Sequence, residues 1–226
     1  MPLPPKPASF RMMARLVGVV TVALLAVAAR PTPKRVSAVA KERYLSPIEI
    51  AISPDGHLLY VVCQDSNEVR VIETAAGTVV KSIPVGRVPR GIALSPDGNM
   101  LYVTNAWSDN VSVIDTKAEQ AIRTLSTGFE PTGVALDSRH NVLYVANRLS
   151  NDISVIDLKT DHETKRLLAG RGASYLSSSP DGKLIYCTHI YPNPGAFRSQ
   201  PNSEITVIDT ESQTVMERKP LPNVSG

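Results

Sequence analysis

The residues of this 226-residue chain that could do chemistry are four histidines, two cysteines and a scatter of carboxylates. His57, His140, His162 and His189 lie far apart, with none of the i, i+2 or i, i+4 pairs that build a metal ligand set. They read as solvated turn residues, and His189 alone is a candidate, because it stands where Asn105 and Asn147 stand in otherwise similar segments. Cys63 and Cys187 lack the C-x-x-C-H context of haem attachment. No G-x-S-x-G, P-loop or H-E-x-x-H occurs. Asp55, Asp97 and Asp181 each sit in Ser-Pro-Asp-Gly, but without further carboxylates at alternating positions this is a turn and not a calcium loop. The reading assigns no catalytic residue, no metal and no cofactor, and leans away from an enzyme.

The elements around these residues repeat. Tyr60, Tyr102, Tyr144 and Tyr186 are spaced by 42 residues, and Gly86, Gly128 and Gly170 keep the same interval. Each unit reads as an apolar segment ending in a turn, then LLYVV, MLYVT, VLYVA or LIYCT, then VRVIE, VSVID, ISVID or ITVID, then a weaker fourth strand. A period of about 40 to 45 residues with four strands per unit is the signature of propeller blades. The fold class is therefore all-β, a β-propeller of four-stranded antiparallel blades, with repeats at 47–86, 89–128, 131–170 and 173–222. Val, Ile, Thr and Tyr carry the apolar load, which favours strands. A lone four-stranded sheet leaves both apolar faces wet, so the unit must recur to be stable.

Two units depart from the pattern. In the third, Ser-Pro-Asp-Gly becomes Asp137-Ser138-Arg139-His140, which predicts a different turn in an intact blade. In the fourth, about ten residues are inserted within IYPNPGAFRSQPNSE, between the second and third strands, where Pro192, Pro194 and Pro201 exclude another central strand. The chain reaches Gly226 where a fifth unit would begin, so a partial ring is expected; the alternative is a closed four-bladed disc completed by a strand from the segment 36–45.

At the N-terminus, Arg11 and Arg15 precede the 14-residue apolar run LVGVVTVALLAVAA, and Ala26-Val27-Ala28 supplies a small-x-small cleavage site. A spanning helix needs about 20 apolar residues, so 1–28 reads as a cleaved signal peptide and 29–46 as a linker and possible closing strand; Ala38-Val39-Ala40 is a second, less favoured site. Cleavage removes Lys6, Arg11 and Arg15 and takes the formal net charge from +3 to zero. Nucleic-acid binding, which rests on a basic excess, is not expected, nor is membrane attachment after cleavage. Cys63 and Cys187, in the first and fourth repeats, are expected as buried free thiols.

In a propeller blade the second-to-third-strand loops share one face with the inter-blade connections, and the Ser-Pro-Asp-Gly turns lie on the other. The turn face then collects Asp55, Asp97, Asp137, Asp161, Asp181, Glu119, Glu163 and Glu211 against fewer cations. The opposite face collects Arg87, Arg90, Trp107, Arg148, Arg171, Phe197 and Arg198, with His189 beside the insertion. Trp and Arg are enriched at interaction hot spots, so these eight residues are the candidate binding set, facing an envelope protein or a small ligand.

Tyr102-Val103-Thr104-Asn105 is the name motif of the YVTN family of β-propeller repeats, and PRGIALSPDGNMLYVTNAWSDNVSVIDT resembles that family's consensus almost throughout. The similarity runs from Pro47 to about Asn223, with the variants YVVC, YVAN and YCTH. The resemblance implies seven- or eight-bladed propellers, among them surface-layer proteins, exported single-domain propellers, and parts of larger proteins ending in a dihaem cytochrome-peroxidase-like domain. The function expected is an exported, non-catalytic binding or scaffold module of the periplasm or cell surface. The alternative is the propeller portion of an enzyme, either a haem-containing oxidoreductase or a lactonase-like hydrolase, although IEIAIS, GIALS and GVALD lack the convergent His, Glu and Arg side chains of a lactonase.

Overall fold

The computed structural model describes residues 44–192 and 203–221. The expected signal peptide, most of the linker with its closing strand, Phe197 and Arg198 of the insertion, and the start of a fifth unit lie outside the described residues.

The chain is an all-β propeller of four-stranded antiparallel blades, each sheet ordered as its strands follow in sequence. Blade 1 comprises β1 (Pro47–Ile52), β2 (Leu58–Cys63), β3 (Glu68–Glu73) and β4 (Thr78–Pro84). Blade 2 comprises β5 (Pro89–Leu94), β6 (Met100–Asn105), β7 (Asn110–Asp115) and β8 (Gln120–Ser126). Blade 3 comprises β9 (Pro131–Asp137), β10 (Val142–Asn147), β11 (Asp152–Asp157) and β12 (His162–Leu168). Blade 4 comprises β13 (Ala173–Ser178), β14 (Leu184–His189), β15 (Ser203–Asp209) and β16 (Thr214–Leu221), so the insertion falls between its second and third strands. A register shift recurs between the third and fourth strands, at Val71/Ile72, Val113/Ile114, Val155/Ile156 and Val207/Ile208. Such a bulge adds local twist to the outer edge of each blade.

The Ser-Pro-Asp-Gly turns form because one side chain satisfies the backbone of the next. Ser53 Oγ accepts from Leu58 N–H at 2.8 Å and donates to Asp55 Oδ1, which also accepts from His57 N–H at 3.0 Å. Ser95–Asp97 and Ser179–Asp181 repeat the arrangement. These bonds, the serine first, hold all three carboxyls below their usual values. Gly56, Gly98 and Gly182 take φ of 75°, 72° and 69°, where a Cβ is disfavoured. In blade 3 the left-handed residue is instead Asn141, with φ 57°.

Three buried clusters hold consecutive blades together. Tyr60, Val62 and Val69 of blade 1 pack on Ile92, Leu101 and Val103 of blade 2. Tyr102, Val111 and Leu125 pack on Leu143 and Val145 of blade 3. Tyr144, Ile153 and Val155 pack on Ile185 and Cys187 of blade 4. Among the described residues no such cluster joins blade 4 to blade 1. The consequence is visible at equivalent positions: Ile92 is 7% exposed where Ile50 is 61%, and Tyr144 is 0% exposed where Tyr186 is 38%. Identical chemistry is covered inside the row and wet at its ends.

The inner strands approach most closely where side chains are absent. A Cβ at Gly91 would run into the Thr132 carbonyl oxygen, and one at Gly133 into that of Ser174. On the outside, Lys81 pairs with Glu119 at 3.4 Å and Arg123 with Asp161 at 2.9 Å, while Lys165 donates to the Ser212 carbonyl, each cation reaching into the next blade. Cys63 and Cys187 are buried free thiols. Burial pushes the Cys187 thiol up to about 12, which leaves it unreactive at neutral pH.

Candidate functional site

The two ends of the blades are bonded in different ways. On the turn face, Thr74, Thr116 and Thr210 each donate to the carbonyl of the turn glycine, Gly56, Gly98 and Gly182 respectively. On the connection face, Ala106 and Trp107 N–H donate to the Val88 and Arg87 carbonyls, and Arg148 and Leu149 N–H to those of Glu130 and Phe129. Asn67, Asp109 and Asn151 accept through their side chains from the N–H of Val88, Glu130 and Gly172. The second-to-third-strand loops and inter-blade connections are thereby stapled into one continuous surface. Val88 pays for this with φ of 52°, costly for a β-branched residue.

That surface brings Arg87 and Trp107 together: the guanidinium lies 5.4 Å over the indole, a cation–π distance. Around them Ala106, Asp109, Phe129, Glu130 and Leu149 line a shallow cavity of about 380 Å³. Trp107 and Leu149 come from the second-to-third-strand loops of blades 2 and 3 and Phe129 from the connection between those blades, and all three are largely exposed. Arg87, Arg90 and Trp107 share a second depression with Gln64, Asp65, Asn67 and Val88. Arg90 also lines a third, axial cavity, together with Arg148.

The remaining candidates have other partners. Arg148 forms an ion pair with Glu130, so its charge is met within the chain. Arg171 reaches the Pro192 carbonyl at 3.4 Å. His189 is tied inward: Nε2 accepts from Gly170 N–H at 3.1 Å and lies 3.2 Å from Thr206 Oγ1, and Nδ1 is 3.0 Å from the Glu204 carbonyl. Burial pushes its imidazole below the usual value, opposed by the Glu204 carbonyl. It fills the place of Asn105 and Asn147, whose amides donate to Ser112 and Ser154.

His140 departs from the expectation of a solvated ring. Its Nδ1 lies 2.6 Å from buried Asp137 and its Nε2 3.1 Å from Glu211 of blade 4, and the Asp137 bond raises its pKa. Beside it Arg139 donates to the Gly182 carbonyl and to Thr210, both at 2.8 Å. The third repeat, in losing Pro and Gly from its turn, gains a clasp onto its neighbour.

Phe129, Leu149 and Tyr175 were not legible as site residues because apolar residues near strands read as core. Their signal lies in the period: Trp107 and Leu149 are equivalent positions, as are Arg87 and Phe129, and these positions differ in type beside flanks that recur, Ser108 and Ser150 in one case and Gly86 and Gly128 in the other.

The YNCE-like beta-propeller family model matches residues 9–140. Among solved structures the chain is similar to the Kuenenia stuttgartiensis hydrazine synthase, at 28% identity and a TM-score of 0.73 over 84% of this chain and 53% of that one. A dihydro-heme d1 dehydrogenase, NirN, in complex with DHE shares the fold at 20% identity and a TM-score of 0.58, over 78% of this chain and 38% of that one. A functionally unknown protein from Desulfotomaculum acetoxidans does so at 16% identity and a TM-score of 0.61, over 76% and 55% respectively. The chain thus spans about half the length of the hydrazine synthase chain or less of these larger relatives. No curated protein sequence matches it.

Proposed function

The chain belongs to the YNCE-like beta-propeller family, and from that premise we propose that it is an exported, non-catalytic binding module of the periplasm or cell surface, holding an envelope protein or small ligand on its connection face. In this reading its repeats are of the YVTN, surface-layer-like type, residues 1–28 are a leader, 29–46 a linker, and 47–226 the propeller. One observation carries the proposal: Trp107, Phe129 and Leu149 form an exposed ledge across blades 2 and 3 and the connection between them, beside Arg87, at positions where the repeats cease to agree. The flanking Gly86, Gly128 and Gly170 and Ser66, Ser108 and Ser150 recur from repeat to repeat; the ledge positions do not. Exposed aromatic and arginine side chains in a shallow depression are the usual anchors of a protein partner.

The test is capture from an envelope fraction by the immobilised protein. Changing Trp107 and Phe129 to Ala together abolishes capture while leaving the melting temperature within a few degrees, as expected of exposed side chains. Undiminished capture would remove this face from consideration.

The likeness to hydrazine synthase favours a second reading, in which the chain is the propeller portion of an enzyme, and the repeat resemblance adds a haem-containing oxidoreductase as its kind. Two C-x-x-C-H motifs farther along the same reading frame would establish that version.

A further inference from the structure

The innermost strand of every blade begins with the same two-residue variation. Pro47, Pro89 and Pro131 precede it, and Ile50, Ile92 and Val134 follow it, in blades 1 to 3. Between them the first position is Ile48, Arg90, Thr132 or Ser174, and the second is Glu49, Gly91, Gly133 or Tyr175. Gly91 and Gly133 are fixed by the close approach of the inner strands. The other six residues line one axial cavity of about 330 Å³, with Arg148 and Ile190 at its edge. Four blades thus converge on a single space with side chains that packing does not dictate, since the neighbouring positions keep their type.

The charges in this cavity do not cancel in pairs. Arg148 is met by Glu130. Arg90 makes no ion pair among the described residues, and its Nε is buried without a hydrogen-bond partner. Glu49 is half-buried; burial pushes its carboxyl up, against a backbone hydrogen bond from Ile92 that lowers it. Such a wall has one guanidinium to offer an acceptor, and a carboxyl that repels a second negative charge. Guanidinium matches carboxylate geometry in paired N–H···O bonds. Tyr175, largely exposed, supplies an aromatic surface beside Ile48 and Ile190. A volume near the lower end of ligand pockets favours a small molecule.

We propose that the axial cavity binds a small organic monocarboxylate, its carboxylate on Arg90 and its apolar or aromatic body against Tyr175, Ile48 and Ile190. The site deepens the reading of this face as the binding face and rests on it.

Titration calorimetry of the full chain tests the site with benzoate, its neutral counterpart benzyl alcohol, and inorganic phosphate as probes. Benzoate binds, and the other two bind at least about tenfold more weakly, as the loss of charge-assisted bonds requires. Arg90→Gln weakens benzoate about tenfold or more, Tyr175→Ala weakens it severalfold, and Lys117→Ala on the turn face leaves it unchanged, with melting curves confirming that each variant is folded. No heat from benzoate up to about 10 mM, equal binding of benzyl alcohol or phosphate, or full affinity in Arg90→Gln would overturn the proposal. Partner capture that depends on Trp107 but coexists with silent benzoate titrations sinks this site alone; benzoate binding with capture indifferent to Trp107 sinks the partner ledge instead.

Discussion

The turn face and the connection face are built from the same four blades, yet they spend their residues differently. On the turn face Ser, Asp and Thr recur at equivalent positions, and their side chains bond to their own turns or to the neighbouring one. On the connection face the backbone is stapled just as regularly through Asn67, Asp109 and Asn151, but the side chains above the staples differ from blade to blade and many remain exposed. Uniformity marks where the sequence serves folding, and variation on a uniform backbone marks where it is free to serve recognition.

The largest effect that would sharpen this contrast comes from the inner strands. Gly133→Val drives a side chain into the Ser174 carbonyl and the Tyr175 backbone, and should cost more than about 4 kcal/mol in denaturant unfolding or abolish folding outright. On the turn face, Ser53→Ala removes the acceptor of the Leu58 N–H and should cost about 1 kcal/mol without altering partner capture. A turn-face substitution that abolished capture at unchanged stability would break the division.

Two substitutions should leave stability unchanged or raise it. Val88→Gly relieves a left-handed β-branched residue on the connection face and should add about 1 kcal/mol, measured by the shift in denaturant midpoint. Tyr144→Phe removes a buried hydroxyl that has no hydrogen-bond partner among the described residues, and should be neutral or gain about 1 kcal/mol; a loss comparable to that of a bonded tyrosine would reveal a missing partner.

The smallest effect is the pH response of the blade 3 to blade 4 clasp. His140 has its pKa raised in the folded state by Asp137 and then Glu211, so the clasp stabilises fully below the unfolded histidine value of about 6.5 and its contribution fades as pH rises through the folded value. The melting difference between the native chain and His140→Gln should be larger at acidic than at alkaline pH. A difference that grew with pH would reverse the assigned cause.

Much of this architecture was legible because a repeat is its own alignment. The tyrosines at 42-residue spacing located the second strands, the Ser-Pro-Asp-Gly copies located the turns, and the 52-residue gap from Asp157 to Asp209 located the insertion. The recurrent bulge was not legible, because Val-Ile reads as regular alternation whichever way the register shifts. Nor was the clasp of Arg139 and His140, which depends on how near blade 4 comes. The Arg87–Trp107 pairing follows from topology, since position 87 precedes the inner strand and position 107 follows the second one of the same blade. Tyr175 and Glu49 became cavity residues only when the close approach at Gly91 and Gly133 showed which of the four equivalent positions could carry a side chain.

The division between faces is tested most directly by measuring envelope-fraction capture and melting temperature together on two variants, Trp107→Ala/Phe129→Ala and Ser53→Ala/Ser95→Ala. The first pair should lose capture and keep its melting temperature, and the second should melt several degrees lower and capture as the native chain does. Capture retained by the first pair, or lost by the second while still folded, would contradict the account.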